Sequence, residues 1–217
     1  MTDFIVHGVP GSPYVRTVLL TLEEKGLDWR LAAIGMGGNR TSEYRAIHPF
    51  QKVPTLDHGD FRLYETRAIL AYLDRIAPNP PLTPNDPRKA ARMDQLIGIT
   101  DSYLTPRLSG GLTFPRVVAP LFGMPVDEDA VGAAIGPATE VVDEVARLLG
   151  DQPFMAGDVL SLADLMLAPH FAFLPQFAEG QAILAPHAHL ADWIARMDAR
   201  PSMAATTWEK LREPVAA

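Results

Sequence analysis

Residues 79–87, NPPLTPNDP, divide the 217-residue chain into two parts with different periodicities. Four of these nine residues are proline. Proline locks φ, offers no N–H and pushes the residue before it out of the helical region. Neither a helix nor a central strand can run through such a stretch. It reads as a linker between two domains, residues 1–78 and residues 88–217.

The first part alternates strand and helix signals. Phe4-Ile5-Val6 is a short apolar run closed by Gly8 and Pro10, the pattern of a buried strand. Ser12-Pro13 then opens a helix, with Ser at the N-cap and Pro at the first helical position. Val15, Val18, Leu19 and Leu22 follow on one helical face, and Lys25-Gly26 closes it. Trp29-Arg30-Leu31 suggests a second strand, and Gly35–Asn39 a glycine-rich loop. Val53–Leu56 and Phe61–Leu63 read as a hairpin about Asp57-His58-Gly59-Asp60. Glu65-Thr66 starts a helix carrying Ile69, Leu70, Leu73 and Ile76. The order is β-α-β-loop-β-β-α.

From residue 88 no convincing strand pattern appears. Val141, Val142, Val145, Leu148 and Leu149 mark a helix ended by Gly150. Ser161 and Asp164 resemble a capping box before an apolar run. A further helix over Asp192–Asp198 stops before Pro201. An all-helical domain of about five helices is expected here.

Composition excludes several functions. With 19 Lys+Arg against 26 Asp+Glu the net charge is −7, the wrong sign for a nucleic-acid binder. No cysteine is present, so there is no disulfide, no thiolate metal ligand and no protein thiol nucleophile. The pair His187 and His189 does not converge as metal ligands do, and no metal is expected. The N-terminal stretch has no leader-like pattern, and the apolar run Val117–Val126 is broken by Pro120, Gly123 and Pro125. A cytoplasmic protein with no membrane partner is expected.

Four segments then carry a resemblance. GSPYVRTVLLTLEEKGLDW, HPFQKVPTL, LYETRAILAYL and GDVLSLADL occur in order along nearly the whole chain. Together they resemble the cytosolic glutathione transferases, and FPRVVAPLFGMPVDE is similar to the serine-type, phi-like branch, here in a bacterial form. The resemblance implies a thioredoxin-like N-terminal domain with a mixed four-stranded sheet. It implies a C-terminal helical bundle, glutathione as co-substrate with no tightly bound cofactor, a small apolar electrophile as partner, and a homodimer.

The resemblance also implies a role for Ser12. Conjugation needs the glutathione thiolate, because the thiol is a poor nucleophile. A thiol of pKa about 8.5 is about 3% ionised at pH 7, and lowering that value by about two units requires about 2.7 kcal/mol. One hydrogen bond to a charged group supplies about 1.5–3 kcal/mol, and a helix N-terminus about 0.3–1 more. A serine hydroxyl at the start of a helix therefore suffices as a donor to sulfur. Ser12 could equally be a plain N-cap, and both roles fit one hydroxyl. Tyr14 is the rival donor, although it falls in the first helical turn rather than near the end of the first strand.

The remaining site residues follow from the same resemblance. Val53-Pro54 would present the Val53 backbone to the cysteinyl unit, with Pro54 cis. Glu65 would pair with the γ-glutamyl ammonium, and Thr66 with the α-carboxylate at a helix N-terminus. Asn39 and Arg40 would serve the glycyl carboxylate, and Lys52 the peptide's carboxylates. Tyr103, Arg107, Phe114 and Arg116 are candidates for the electrophile site, which would lie between the domains. Each could instead serve packing, capping or solvation. A non-catalytic ligand-binding or assembly protein on the same fold is the alternative reading.

Overall fold

In the computed structural model, which describes residues 4–212, the first part of the chain is built on four strands. They are β1 (Phe4–Gly8), β2 (Trp29–Ala33), β3 (Thr55–His58) and β4 (Phe61–Tyr64), in the order β2-β1-β3-β4 across the sheet. β1 and β2 are parallel and are joined through α1 (Pro13–Glu24), since parallel neighbours need a crossover. β3 pairs antiparallel with both β1 and β4, so the sheet is mixed. Alternation along the strands sends Phe4, Val6 and Leu56 to one face. There they bury against Val15, Val18, Leu19 and Leu22 of α1 and against Ile69 and Leu73 of the helix Thr66–Ile76. Each fully buried side chain of this size contributes about 1.5–3 kcal/mol.

Three details differ from the sequence reading. β3 begins at Thr55 rather than Val53, because Pro54 has no N–H to give to a ladder. A six-residue helix, α2 (Ser42–Ile47), occupies part of the expected loop, and the Thr41 hydroxyl accepts from the Tyr44 N–H at its start. The helix Thr66–Ile76 is α3, and Ile76 is exposed in its last turn rather than buried.

The second unit runs from Thr83 to Asp198 and is helical. It contains α4 (Pro87–Ile99), a continuing wide helix over Thr100–Val118, α5 (Ala119–Leu121) and α6 (Glu128–Leu149). It continues with α7 (Leu162–Phe171), α8 (Ala178–Leu184) and α9 (Ala188–Asp198). In the wide helix the N–H groups reach five residues back, as from Ala119 to the Phe114 carbonyl. Pro106, Gly110, Gly111 and Pro115 read as breakers, yet the chain stays helical through them. Gly111 has a packing reason: a Cβ there would stand 2.8 Å from the Cβ of Ala134 on α6.

The expected boundaries need two corrections. Residues 79–87 are not a free linker throughout, because Leu82 is buried in the first unit. The Lys25 ammonium donates to Asp74 and to the Pro80 carbonyl, each at 2.5 Å, and the Leu82 N–H donates to Asp74. The described residues from Ala199 onward, with α10 (Pro201–Ala205) and α11 (Trp208–Arg212), also belong to the first unit and not to the helical one. Arg16 of α1 donates to the Met203 carbonyl at 2.9 Å, and Trp208 packs where a Cβ on Gly11 would lie, 1.8 Å away. Glu24 accepts from Nε and Nη2 of Arg200 and from the Ser202 hydroxyl.

That last cluster sets a pH dependence. Burial raises the Glu24 pKa, but hydrogen bonds from Arg200 and Ser202 and the Arg200 charge outweigh it, leaving the carboxyl below its ordinary 4.5. A depressed folded pKa contributes stability that is present above 4.5 and lost as pH falls through the folded value. Wild type should exceed Glu24→Gln by about 2 kcal/mol at neutral pH. The gap should close in acid, as read from urea midpoints across pH.

Candidate functional site

Strand register decides which candidate residues share a neighbourhood. Gly8, at the end of β1, is opposite Ala33, at the end of β2. His7 is opposite Thr55, the first residue of β3, and Thr55 is opposite Tyr64, the last of β4. The segments that leave or enter the strands at those residues therefore lie at one end of the sheet. They carry Ser12, the pair Asn39-Arg40, the triplet Lys52-Val53-Pro54, and the pair Glu65-Thr66.

Ser12 stands at the N-cap of α1 with extended backbone, φ −63° and ψ 126°. Its carbonyl accepts from the Arg16 N–H at 2.9 Å and its N–H donates to the Val9 carbonyl at 3.1 Å. An N-cap serine ordinarily accepts from a first-turn N–H through its side chain. The Ser12 hydroxyl makes no such bond. It is half-buried at a helix N-terminus, where the macrodipole favours an anion. Tyr14 lies one helical position beyond Pro13, in the first turn and half-buried.

The Val53–Pro54 peptide bond is cis. Val53 is half-buried, Pro54 is buried, and Lys52 and Arg40 are exposed. The Asn39 side-chain amide donates to the Gln51 carbonyl at 2.7 Å, and the Tyr44 hydroxyl to the Lys52 carbonyl at 2.9 Å. Glu65 is the N-cap of α3, at φ 71°, and gives no side-chain cap. For a residue with a Cβ this φ costs on the order of 1–3 kcal/mol, and such residues cluster at functional sites. Thr66 is the first residue of α3 and is buried.

Sequence reasoning missed His48, Tyr44 and Gln51. His48 is 1% exposed, its Nδ1 accepts from the Phe50 N–H, and its ring lies 4.6 Å from that of Tyr64. Burial holds the His48 imidazole below its ordinary pKa, the Glu65 charge pulls it up, and the Lys52 charge pushes it down. A neutral ring therefore packs between the residues before Val53 and those before Glu65. The only sequence signal was its place inside HPFQKVPTL.

The electrophile candidates lie on the wide helix of the second unit. Tyr103 and Arg107 line a pocket of about 340 Å³ with Ile99, Glu140 and Val141, and Arg107 pairs with Glu140 at 2.7 Å. Phe114 lines a second pocket of about 220 Å³ with Gly110, Pro125 and Val131. Arg116 is engaged by Glu128 at 2.8 Å and Glu179 at 2.6 Å. His187 Nε2 hydrogen-bonds Asp143 and His189 Nε2 the Ala146 carbonyl. Among the described residues no group of three or more His, Asp or Glu side chains could hold a metal, and no helix is long and apolar enough to cross a membrane.

Comparison with known proteins finds matches to both halves of the chain. Residues 6–81 match the family model "Glutathione S-transferase, N-terminal domain", and residues 128–196 match "Glutathione S-transferase, C-terminal domain". A glutathione S-transferase of Hyoscyamus muticus is 32% identical over 212 residues, covering 96% of this chain and 97% of that protein. Glutathione S-transferase F10 of Arabidopsis thaliana is 30% identical, covering 85% and 87%. These relatives are plant proteins and lend no support to the bacterial source expected from the sequence. The crystal structure of glutathione transferase F7 from Populus trichocarpa has the same fold, with a TM-score of 0.84 at 24% identity over 97% of this chain and all of that one. Matched in both halves and across nearly the full length of its relatives, the chain belongs to the glutathione S-transferase family.

Proposed function

We propose that the chain is a serine-type, phi-like glutathione transferase in which Ser12 donates a hydrogen bond to the glutathione thiolate. The observation that carries this reading is the N-cap position of Ser12 with its hydroxyl left out of the cap. The donor is thereby available to an incoming sulfur, beside a helix N-terminus that favours negative charge. On binding, the thiol proton leaves to solvent while Ser12 keeps its own. The sulfur lone pair then forms a bond to an electrophilic carbon. In a displacement the leaving group departs with its electron pair; in an addition the acceptor takes the pair and is protonated.

The other contacts belong to the same proposal. Val53 offers its N–H and C=O to the cysteinyl unit, beside Pro54. Glu65 pairs with the γ-glutamyl ammonium, and Thr66 with the α-carboxylate. Arg40 supplies the glycyl end, and Lys52 serves the peptide's carboxylates. Tyr103, Arg107, Phe114 and Arg116 remain candidates for binding an apolar electrophile. A symmetric homodimer, a cytoplasmic location and a role in detoxification rest on family membership. Reduction of organic hydroperoxides and dehalogenation are further uses of the same thiolate.

Ultraviolet difference titration of bound glutathione tests the reading. Thiolate absorbance should rise with an apparent pKa between about 6 and 7, below the free thiol's value of about 8.5. Binding without a shift, or no binding, would favour a ligand-carrying protein on this fold. Glu65→Ala should weaken glutathione binding by about tenfold or more, read by calorimetry. An unchanged dissociation constant would leave Glu65 as a structural helix start only.

A further inference from the structure

The segment before Val53 is held by its carbonyls. Asn39 Nδ2 donates to the carbonyl of Gln51 at 2.7 Å, and the Tyr44 hydroxyl donates to the carbonyl of Lys52 at 2.9 Å. These are consecutive carbonyls, and the next residue is Val53. Gln51 sits at φ 53°, in the left-handed region that residues with a Cβ enter rarely. Its N–H, its carbonyl and its side-chain oxygen are all tethered. Its N–H donates to the His48 carbonyl at 2.9 Å, its Oε1 accepts from Arg45 at 3.2 Å, and its carbonyl accepts from Asn39. Tyr44 is 3% exposed, so its hydroxyl is committed to this cluster rather than to solvent. Its second neighbour is the buried hydroxyl of Thr55, 3.5 Å away in β3.

We propose that Asn39 and Tyr44 are positioning residues, which hold the Gln51 and Lys52 carbonyls and so aim the Val53 peptide groups at the backbone of a bound thiol peptide. Without its tethers, a non-glycine residue at this φ relaxes toward the extended region. The peptide planes that follow it then turn away. Asn39 thus acts through Gln51, not by touching the glycyl carboxylate. This inference rests on reading the end of the sheet as a glutathione site.

Two ligands and two variants separate the possibilities. Glutathione and γ-glutamylcysteine share the γ-glutamyl-cysteinyl portion that would meet Val53; the second lacks the glycine. Dissociation constants for both are measured by calorimetry on wild type, Asn39→Ala and Tyr44→Phe, and kcat and KM are measured with glutathione. Each variant should bind both ligands more weakly by a similar factor, about five- to tenfold. The kinetic loss should fall on KM for glutathione, with kcat retained at saturation. A variant that merely folds less well loses active protein and lowers kcat, leaving KM in place. If Asn39→Ala weakens only glutathione, Asn39 is a contact for the glycyl end and the proposal is wrong. If neither variant changes either constant, the Val53 backbone is held without them and the proposal is again wrong. Wild type that binds neither ligand would overturn the site itself; wild-type binding with unchanged variants would overturn the positioning role alone.

Discussion

Replacing Ser12 by alanine should lower turnover by about tenfold or more while the dissociation constant for glutathione changes little. The hydroxyl has no capping bond to lose, so α1 should keep its start. A capping serine replaced by alanine costs about 0.5–2 kcal/mol of stability, and this one should cost less. What is lost is one donor to a charged sulfur, about 1.5–3 kcal/mol. That loss acts on ionisation of the thiol rather than on capture of the peptide, whose ends the proposed site holds through other residues. The bound thiol should titrate about one to two units higher in the variant, since one unit corresponds to about 1.36 kcal/mol. Steady-state kinetics and thiolate absorbance together check this. Unchanged turnover would transfer the donor role to Tyr14 or to a backbone N–H at the start of α1.

The second large effect concerns stability. Asp164→Ala should destabilise the helical unit by about 3–5 kcal/mol. Asp164 has no exposed surface and accepts four hydrogen bonds. They come from the Met155 N–H at 2.8 Å, the Trp193 indole at 2.9 Å, and the Ser161 N–H and hydroxyl at 2.9 and 2.8 Å. Burial pushes the Asp164 carboxyl above its ordinary pKa, and these four bonds pull against it. Alanine removes the acceptor and strands the donors in an apolar interior, at about 1–3 kcal/mol for each unsatisfied group. Trp193 is itself fully buried and packs edge-on against Phe171, so the loss spreads from α7 to α9. Urea denaturation followed by tryptophan fluorescence reads the change. A shift below about 1 kcal/mol would mean that the interior rearranges to satisfy the stranded donors.

Much of this is legible in the amino-acid sequence. Phe4–Val6, the Val15 to Leu22 face and the Ile69 to Leu73 face are periodic, and each became an element of the expected type. Ser161 and Asp164 stand three residues apart, so a local capping box could be read directly. The family could be named because each of its motifs is short and contiguous. Other features were hidden by their chemistry. The wide helix over Thr100–Val118 contains two prolines and two adjacent glycines, residues that ordinarily stop a helix. Its register is kept instead by packing against α6, where Gly111 meets Ala134.

Other features depend on residues far apart in the chain. Local periodicity set the strands, helices and turns because each is stabilised by neighbours within a few residues. Bringing Ser12, Lys52-Val53-Pro54 and Glu65 to one end of the sheet required the pairing of His7 with Thr55 and of Thr55 with Tyr64. The tethering of Gln51 required Asn39, twelve residues away, and the placing of the C-terminal segment required Glu24 to meet Arg200, 176 residues away. No pattern in a single chain encodes such partners, because a side chain's hydrogen-bonding capacity does not say which distant carbonyl or carboxylate will satisfy it. That choice is made when the sheet closes and burial leaves each polar group only the partner beside it.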